Sequence, residues 1–127
     1  MAKLLWICLG GAIGTGARYG LAGWVQRQAG TAFPWGTLSV NVLGSFLLGA
    51  IMEAGIAGGL LSPTLRLALT TGVMGGFTTY STFNYETLEY LRDGAWALAA
   101  ANVAATVGIC LFAGIAGWAA GRWAIGG

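Results

Sequence analysis

The chain has 127 residues, of which 57% are hydrophobic and only 8% charged. Soluble domains carry about 25% charge, and ten charged side chains cannot give a domain of this size a polar coat. The apolar content excludes disorder, and 23 glycines beside 2 prolines, without a Gly-X-Y period, exclude a collagen-like chain. What remains is an all-α integral membrane protein. The absence of histidine excludes a Ser-His-Asp triad and histidine metal ligands. Cys8 and Cys110 lie far apart in apolar segments and cannot build a structural zinc site alone. A net charge of +2 offers no basic patch for nucleic acid.

Four stretches are long enough to cross a bilayer, which takes about 20 mostly apolar residues. The first runs from Leu4 to Val25, too long for a cleavable signal peptide, and ends at Gln26-Arg27-Gln28. The second runs from Trp35 to Gly58, with Pro34 marking its entrance. The third runs from Thr64 to Leu91 after Ser62-Pro63, and the fourth from Ala95 to Trp123 after Arg92-Asp93-Gly94. One four-helix transmembrane domain is therefore expected, with both termini on one side. Trp6, Trp24, Trp35, Trp96, Trp118 and Trp123 mostly fall near span ends, as in an interfacial aromatic belt. The pairs Gly10/Gly14, Gly16/Gly20 and Gly117/Gly121 are spaced for close helix contact.

The third span is unusual. Gly72, Gly75 and Gly76 precede Thr78, Thr79, Ser81 and Thr82. Glycine and β-branched residues weaken a helix, so this run favours a break over a continuous helix with a polar packing face. A break inside lipid strands backbone groups and is tolerated only within protein or beside a water-filled path. Such breaks commonly hold ions.

Polar residues recur at helical spacing in the neighbouring spans: Thr37, Asn41, Ser45 and Gly49 in the second, Asn102, Thr106 and Cys110 in the fourth. After the break, Thr79, Thr82, Phe83 and Glu86 share a face. Interhelical hydrogen bonds could explain each stripe. Three stripes in so short a chain favour a polar conduit lined by neutral donors, with Asn41, Thr79, Ser81, Thr82, Asn102 and Thr106 as candidates.

Lys3, Arg66 and Arg122 fall on the side of the termini, while Arg27, Arg92 and the intramembrane Arg18 fall toward the other. That balance removes any strong orientation bias. Four short spans are also few to enclose a pore. An antiparallel homodimer satisfies both points and has closed two-fold symmetry.

The run GGFTTYSTFNYE, Gly75 to Glu86, resembles the signature of the Fluc (CrcB) fluoride channels, supported by GTLSVN from Gly36 to Asn41 and the arginine of GARYG, Arg18. The resemblance extends over essentially the whole chain. It implies a dual-topology homodimer in the plasma membrane with two antiparallel fluoride pores, and passive fluoride export that protects against fluoride toxicity. It also implies a structural Na+ held by backbone carbonyls of Gly75 and Thr78. Pore aromatics would fall on Tyr80 and Phe83, the pore asparagine on Asn41, and a polar track on Asn102, Thr106 and Cys110. Arg18 would stand near the entrance, and Glu86 matches a glutamate of unassigned role. Tyr80 departs from the usual phenylalanine but keeps the positive ring edge. Cys110 stands where a hydroxyl is common and donates more weakly.

No catalytic step is needed and no ATP-binding motif is present, so the protein is not expected to be an enzyme. A small proton-coupled multidrug or cation exporter shares the size and topology, but it needs a membrane-embedded carboxylate, typically in the first span. That span has none; Glu53 and Glu86 lie elsewhere. A non-transporting membrane assembly protein would need neither the polar stripes nor the break.

Overall fold

The computed structural model describes residues 1–126 and is all-helical among them. Helix α1 spans Ala2–Ala29 and α2 spans Trp35–Met52. A π-helical turn, Glu53–Ala57, extends α2. The third region is assembled from pieces: α3 (Pro63–Leu67), a π-helical segment (Ala68–Met74) and the short α4 (Gly75–Phe77), then α5 (Tyr80–Arg92) after an interruption. Helix α6 spans Trp96–Ala124.

Local chemistry accounts for these limits. Pro34 precedes α2 in a non-helical conformation, and Pro63 occupies the first turn of α3, where its missing N–H costs nothing. The Ser62 side chain accepts a hydrogen bond from the Leu65 N–H at 3.3 Å and caps α3. Gly94 adopts a φ of 73° between α5 and α6, a conformation that disfavours other residues.

Among the described residues, two helices are long and apolar enough to cross a membrane by themselves, Trp35–Ala57 and Trp96–Ala124. The third region is cut into pieces by its break, and α1 carries Arg18 and polar residues along its length. The outward surfaces of α1 and α6 are largely apolar, whereas α5 exposes Ser81, Asn84 and Glu89. Leu5 and Ile13 on α1 are 65% and 66% exposed, and Leu111 and Phe112 on α6 are 65% and 72% exposed. Continuous apolar exposure of this extent marks a lipid-facing surface. All six tryptophans are exposed, as an aromatic belt requires.

Packing relies on small residues rather than a large core. The buried apolar cluster is only Val40, Met74 and Phe77, flanked by Leu21, Leu47 and Val73. Helices α2 and α6 form the most extensive pair. A Cβ at Gly117 would overlap the Phe46 carbonyl, and one at Gly121 would lie 2.7 Å from the Ala50 carbonyl. Gly10 and Gly14 approach the Ala68 and Val73 carbonyls of the π segment in the same way. Gly16 and Gly20, expected to pack likewise, have open space around them. They lie on a face of α1 that meets no other helix of the protomer.

Candidate functional site: a helix break and the polar cavity beside it

The third region breaks at Thr78 and Thr79, within the Gly/Thr run. Thr78 (φ −88°, ψ 159°) and Thr79 (φ −152°, ψ 112°) are both extended. Thr79 then caps α5, its hydroxyl oxygen accepting from the Thr82 N–H at 3.3 Å. Gly44 lets the break lie against α2, because a Cβ there would overlap the Thr78 side chain.

Asn41, one turn from Gly44 on α2, closes the gap. Its Nδ2 donates to the Thr79 carbonyl at 3.0 Å, and its Oδ1 accepts from the Thr79 N–H at 2.7 Å. The exchange satisfies backbone groups that would otherwise be stranded in an apolar interior.

This pairing has a consequence for two carbonyls. In an unbroken helix the Thr79 N–H would bond the Gly75 carbonyl, and the Thr82 N–H the Thr78 carbonyl. The first donates to Asn41 instead and the second to the Thr79 hydroxyl. Gly75 and Thr78 thus lose the donors that a continuous ladder would supply. Bare carbonyl oxygens at a helix break are ligands for a hard cation.

Beside the break lies a cavity of about 220 Å³, lined by Asn41 and Ser45 of α2, Thr78 and Thr79 of the break, Tyr80 and Phe83 of α5, and Thr106 and Cys110 of α6. Six of the expected pore residues therefore meet in one place: Asn41, Thr79, Tyr80, Phe83, Thr106 and Cys110. Asn41 keeps a second amide N–H beyond the one given to Thr79. The Thr78 hydroxyl proton goes to the Met74 carbonyl at 3.0 Å. Tyr80 and Phe83 meet edge to face, ring centroids 5.6 Å apart at 68°. Phe83 is buried, whereas Tyr80 is 78% exposed within the protomer.

The remaining expected residues take other places. Arg18 lines a second cavity of about 440 Å³ with Thr15, Arg27, Thr37, Thr79 and Thr82. Thr79 borders both cavities. Ser81 is exposed at the start of α5. Asn102 is buried between Thr87 and Thr106, donating to the first and accepting from the second. Glu86 accepts a hydrogen bond from the Thr37 hydroxyl, and its Oε2 is buried without a partner.

Sequence reasoning did not assign Ser45, Thr37 or Thr87 to the site. Ser45 and Thr37 belong to the Asn41 stripe, so their spacing carried the signal. Thr87 stands four residues after Phe83, which places it on that face of α5.

An apolar, lipid-facing helical surface enclosing neutral hydrogen-bonding groups at a broken helix defines a membrane protein built around a small polar passage. Comparison with known families narrows the class. Residues 5–118 match the family model described as CrcB-like protein, Camphor Resistance, and the chain belongs to that family. A fluoride-specific ion channel FluC of Sorangium cellulosum (strain So ce56) is 57% identical over the full length of both chains. One from Anaeromyxobacter sp. (strain K) is 55% identical over 99% of this chain and 100% of its own. One from Geobacter sulfurreducens is 54% identical over 96% of this chain and 98% of its own.

Proposed function

We propose that this protein is a fluoride-specific channel that lets fluoride leave the cytoplasm passively and so limits its toxicity. The observation that carries the reading is the cavity at the break, where hydroxyl and amide donors from α2, α5 and α6 meet the ring of Phe83. Relatives of full matching length that are named fluoride-specific channels support it.

The physical task is dehydration. A bare anion in a low-dielectric medium costs tens of kcal/mol. The passage must therefore replace water with donors and with the positive edges of aromatic rings. Asn41, Thr79, Ser81, Thr82 and Thr106 are the donors proposed for the path, with Cys110 as a weaker one and the buried Asn102 standing behind Thr106. Phe83 and Tyr80 present ring edges, and Arg18 attracts the anion at the entrance. Neutral donors also keep the hold weak enough for release.

The working unit in this reading is an antiparallel homodimer in the plasma membrane. Each protomer spans it four times and can insert either way. Tyr80 and the free face of α1 around Gly16 and Gly20 suit a surface that a second copy covers. The Gly75 and Thr78 carbonyls, deprived of helical donors, fit a structural Na+ shared by two protomers. Such an ion would neutralise oxygens gathered at the dimer centre. A proton-coupled exporter is not favoured, because α1 carries no carboxylate.

Efflux from liposomes containing the purified protein tests the function. Fluoride, followed with a selective electrode, should leave rapidly while chloride is retained. Equal release of both ions, or of neither, would overturn the reading.

A further inference from the structure

Four polar groups between α5 and α6 are joined head to tail. The Thr87 hydroxyl donates to the Phe83 carbonyl at 2.8 Å. A hydroxyl has one proton, so toward Asn102 the Thr87 oxygen can only accept, and Asn102 Nδ2 lies 3.0 Å from it. This contact sets the orientation of the Asn102 amide. Its Oδ1 is thereby turned to Thr106, whose hydroxyl donates to it at 3.4 Å. The direction cannot reverse, because the series begins at a carbonyl, which only accepts. Asn102 is 1% exposed, whereas Thr106 faces the cavity at the break.

We propose that Thr87 is a positioning residue for the passage: by orienting the Asn102 amide, it makes Asn102 Oδ1 compete with the permeating anion for the single Thr106 proton. The inference rests on the fluoride-channel reading of the cavity. A contact of 3.4 Å is longer than a good O–H···O bond, so the proton moves to an anion at small cost. Each time it does, a buried amide oxygen loses its donor, which opposes tight holding. The arrangement supplies a donor to the ion and takes it back on departure, as conduction requires.

Without the Thr87 hydroxyl the amide is free to turn over. Nδ2 then donates to Thr106 Oγ1, and the Thr106 proton no longer has the Asn102 amide oxygen competing with the ion for it. Fluoride is held more tightly and leaves more slowly.

The test is initial fluoride flux into liposomes as a function of fluoride concentration. In Thr87→Val, the half-saturating concentration should fall about threefold or more, with a lower maximal flux. Thr87→Ser restores the hydroxyl and should match the parent. In a Thr106→Val background, adding Thr87→Val should leave the half-saturating concentration unmoved. A purely structural defect would reduce the number of working channels and scale the maximal flux alone. An unmoved half-saturating concentration in Thr87→Val, or a shift that persists without the Thr106 hydroxyl, overturns the proposal. Thr87 is only half-buried, and Thr87→Ala takes the place of the valine variant if that one fails to assemble. Absence of fluoride flux in the parent would overturn the channel reading itself, whereas parental flux with an unmoved Thr87→Val overturns only the role of Thr87.

Discussion

Asn41 and Thr79, 38 residues apart in the chain, exchange two hydrogen bonds, so one side chain stands in for a missing stretch of helical ladder. The break is therefore held open by α2. The bond that Asn41 takes from Thr79 N–H is also the one that frees the Gly75 carbonyl.

Removing that amide should cost stability. In Asn41→Ala, the Thr79 N–H and carbonyl are left buried without partners. Each such group costs about 1–3 kcal/mol. Denaturation of the detergent-solubilised protein should shift by at least the lower figure, and an unshifted transition would show that water or the neighbouring backbone replaces Asn41. Asn41→Asp should also be damaging, because a carboxylate oxygen would face the Thr79 carbonyl.

Phe83 should matter to flux more than to folding. Phe83→Ile keeps most of the bulk and removes the positive ring edge, so its stability cost should stay near 1 kcal/mol. Fluoride flux per folded channel should drop at least about tenfold, a barrier change near 1.4 kcal/mol. An elution profile unchanged on a sizing column together with near-parental flux would remove Phe83 from the path.

Sodium should stabilise the assembly. A ligand bound only by the native state raises its stability as the ligand concentration rises. Protein purified throughout in a large organic cation should denature more readily than protein kept in sodium, and adding sodium back should restore it. Identical stability in the two media would count against a cation at the Gly75 and Thr78 carbonyls.

Orientation is open to direct labelling. In a background lacking Cys8 and Cys110, Ala2→Cys, which leaves the Lys/Arg balance untouched, should react with membrane-impermeant thiol reagents from both faces of the membrane. Reaction from one face alone would establish a single topology and rule out an antiparallel pair.

Most element limits were legible in the residues. Pro34 and Pro63 mark the starts of α2 and α3, and Gly94 separates α5 from α6. The run from Gly72 to Thr82 located the break, since glycine and β-branched residues weaken a helix wherever they cluster. Spacing likewise put Asn41 and Ser45 on one face of α2, and Thr106 and Cys110 on one face of α6. These are short-range properties, determined by each residue's own preferences and by the 3.6-residue period.

Which groups pair across helices was not legible. Spacing alone made Gly16 and Gly20 equivalent to Gly117 and Gly121, yet only the second pair meets a neighbouring backbone. Nothing local linked Thr37 to Glu86 across 49 residues, or Thr87 to Asn102 on the next helix. Such contacts depend on the rotation and axial offset of two packed helices. A one-residue rotation of about 100° moves every side chain to another face. The chain by itself determined that a polar helix break would lie within an apolar bundle. Only the packing of α2 and α6 against that break decided which amide would close it and which hydroxyls would face the cavity.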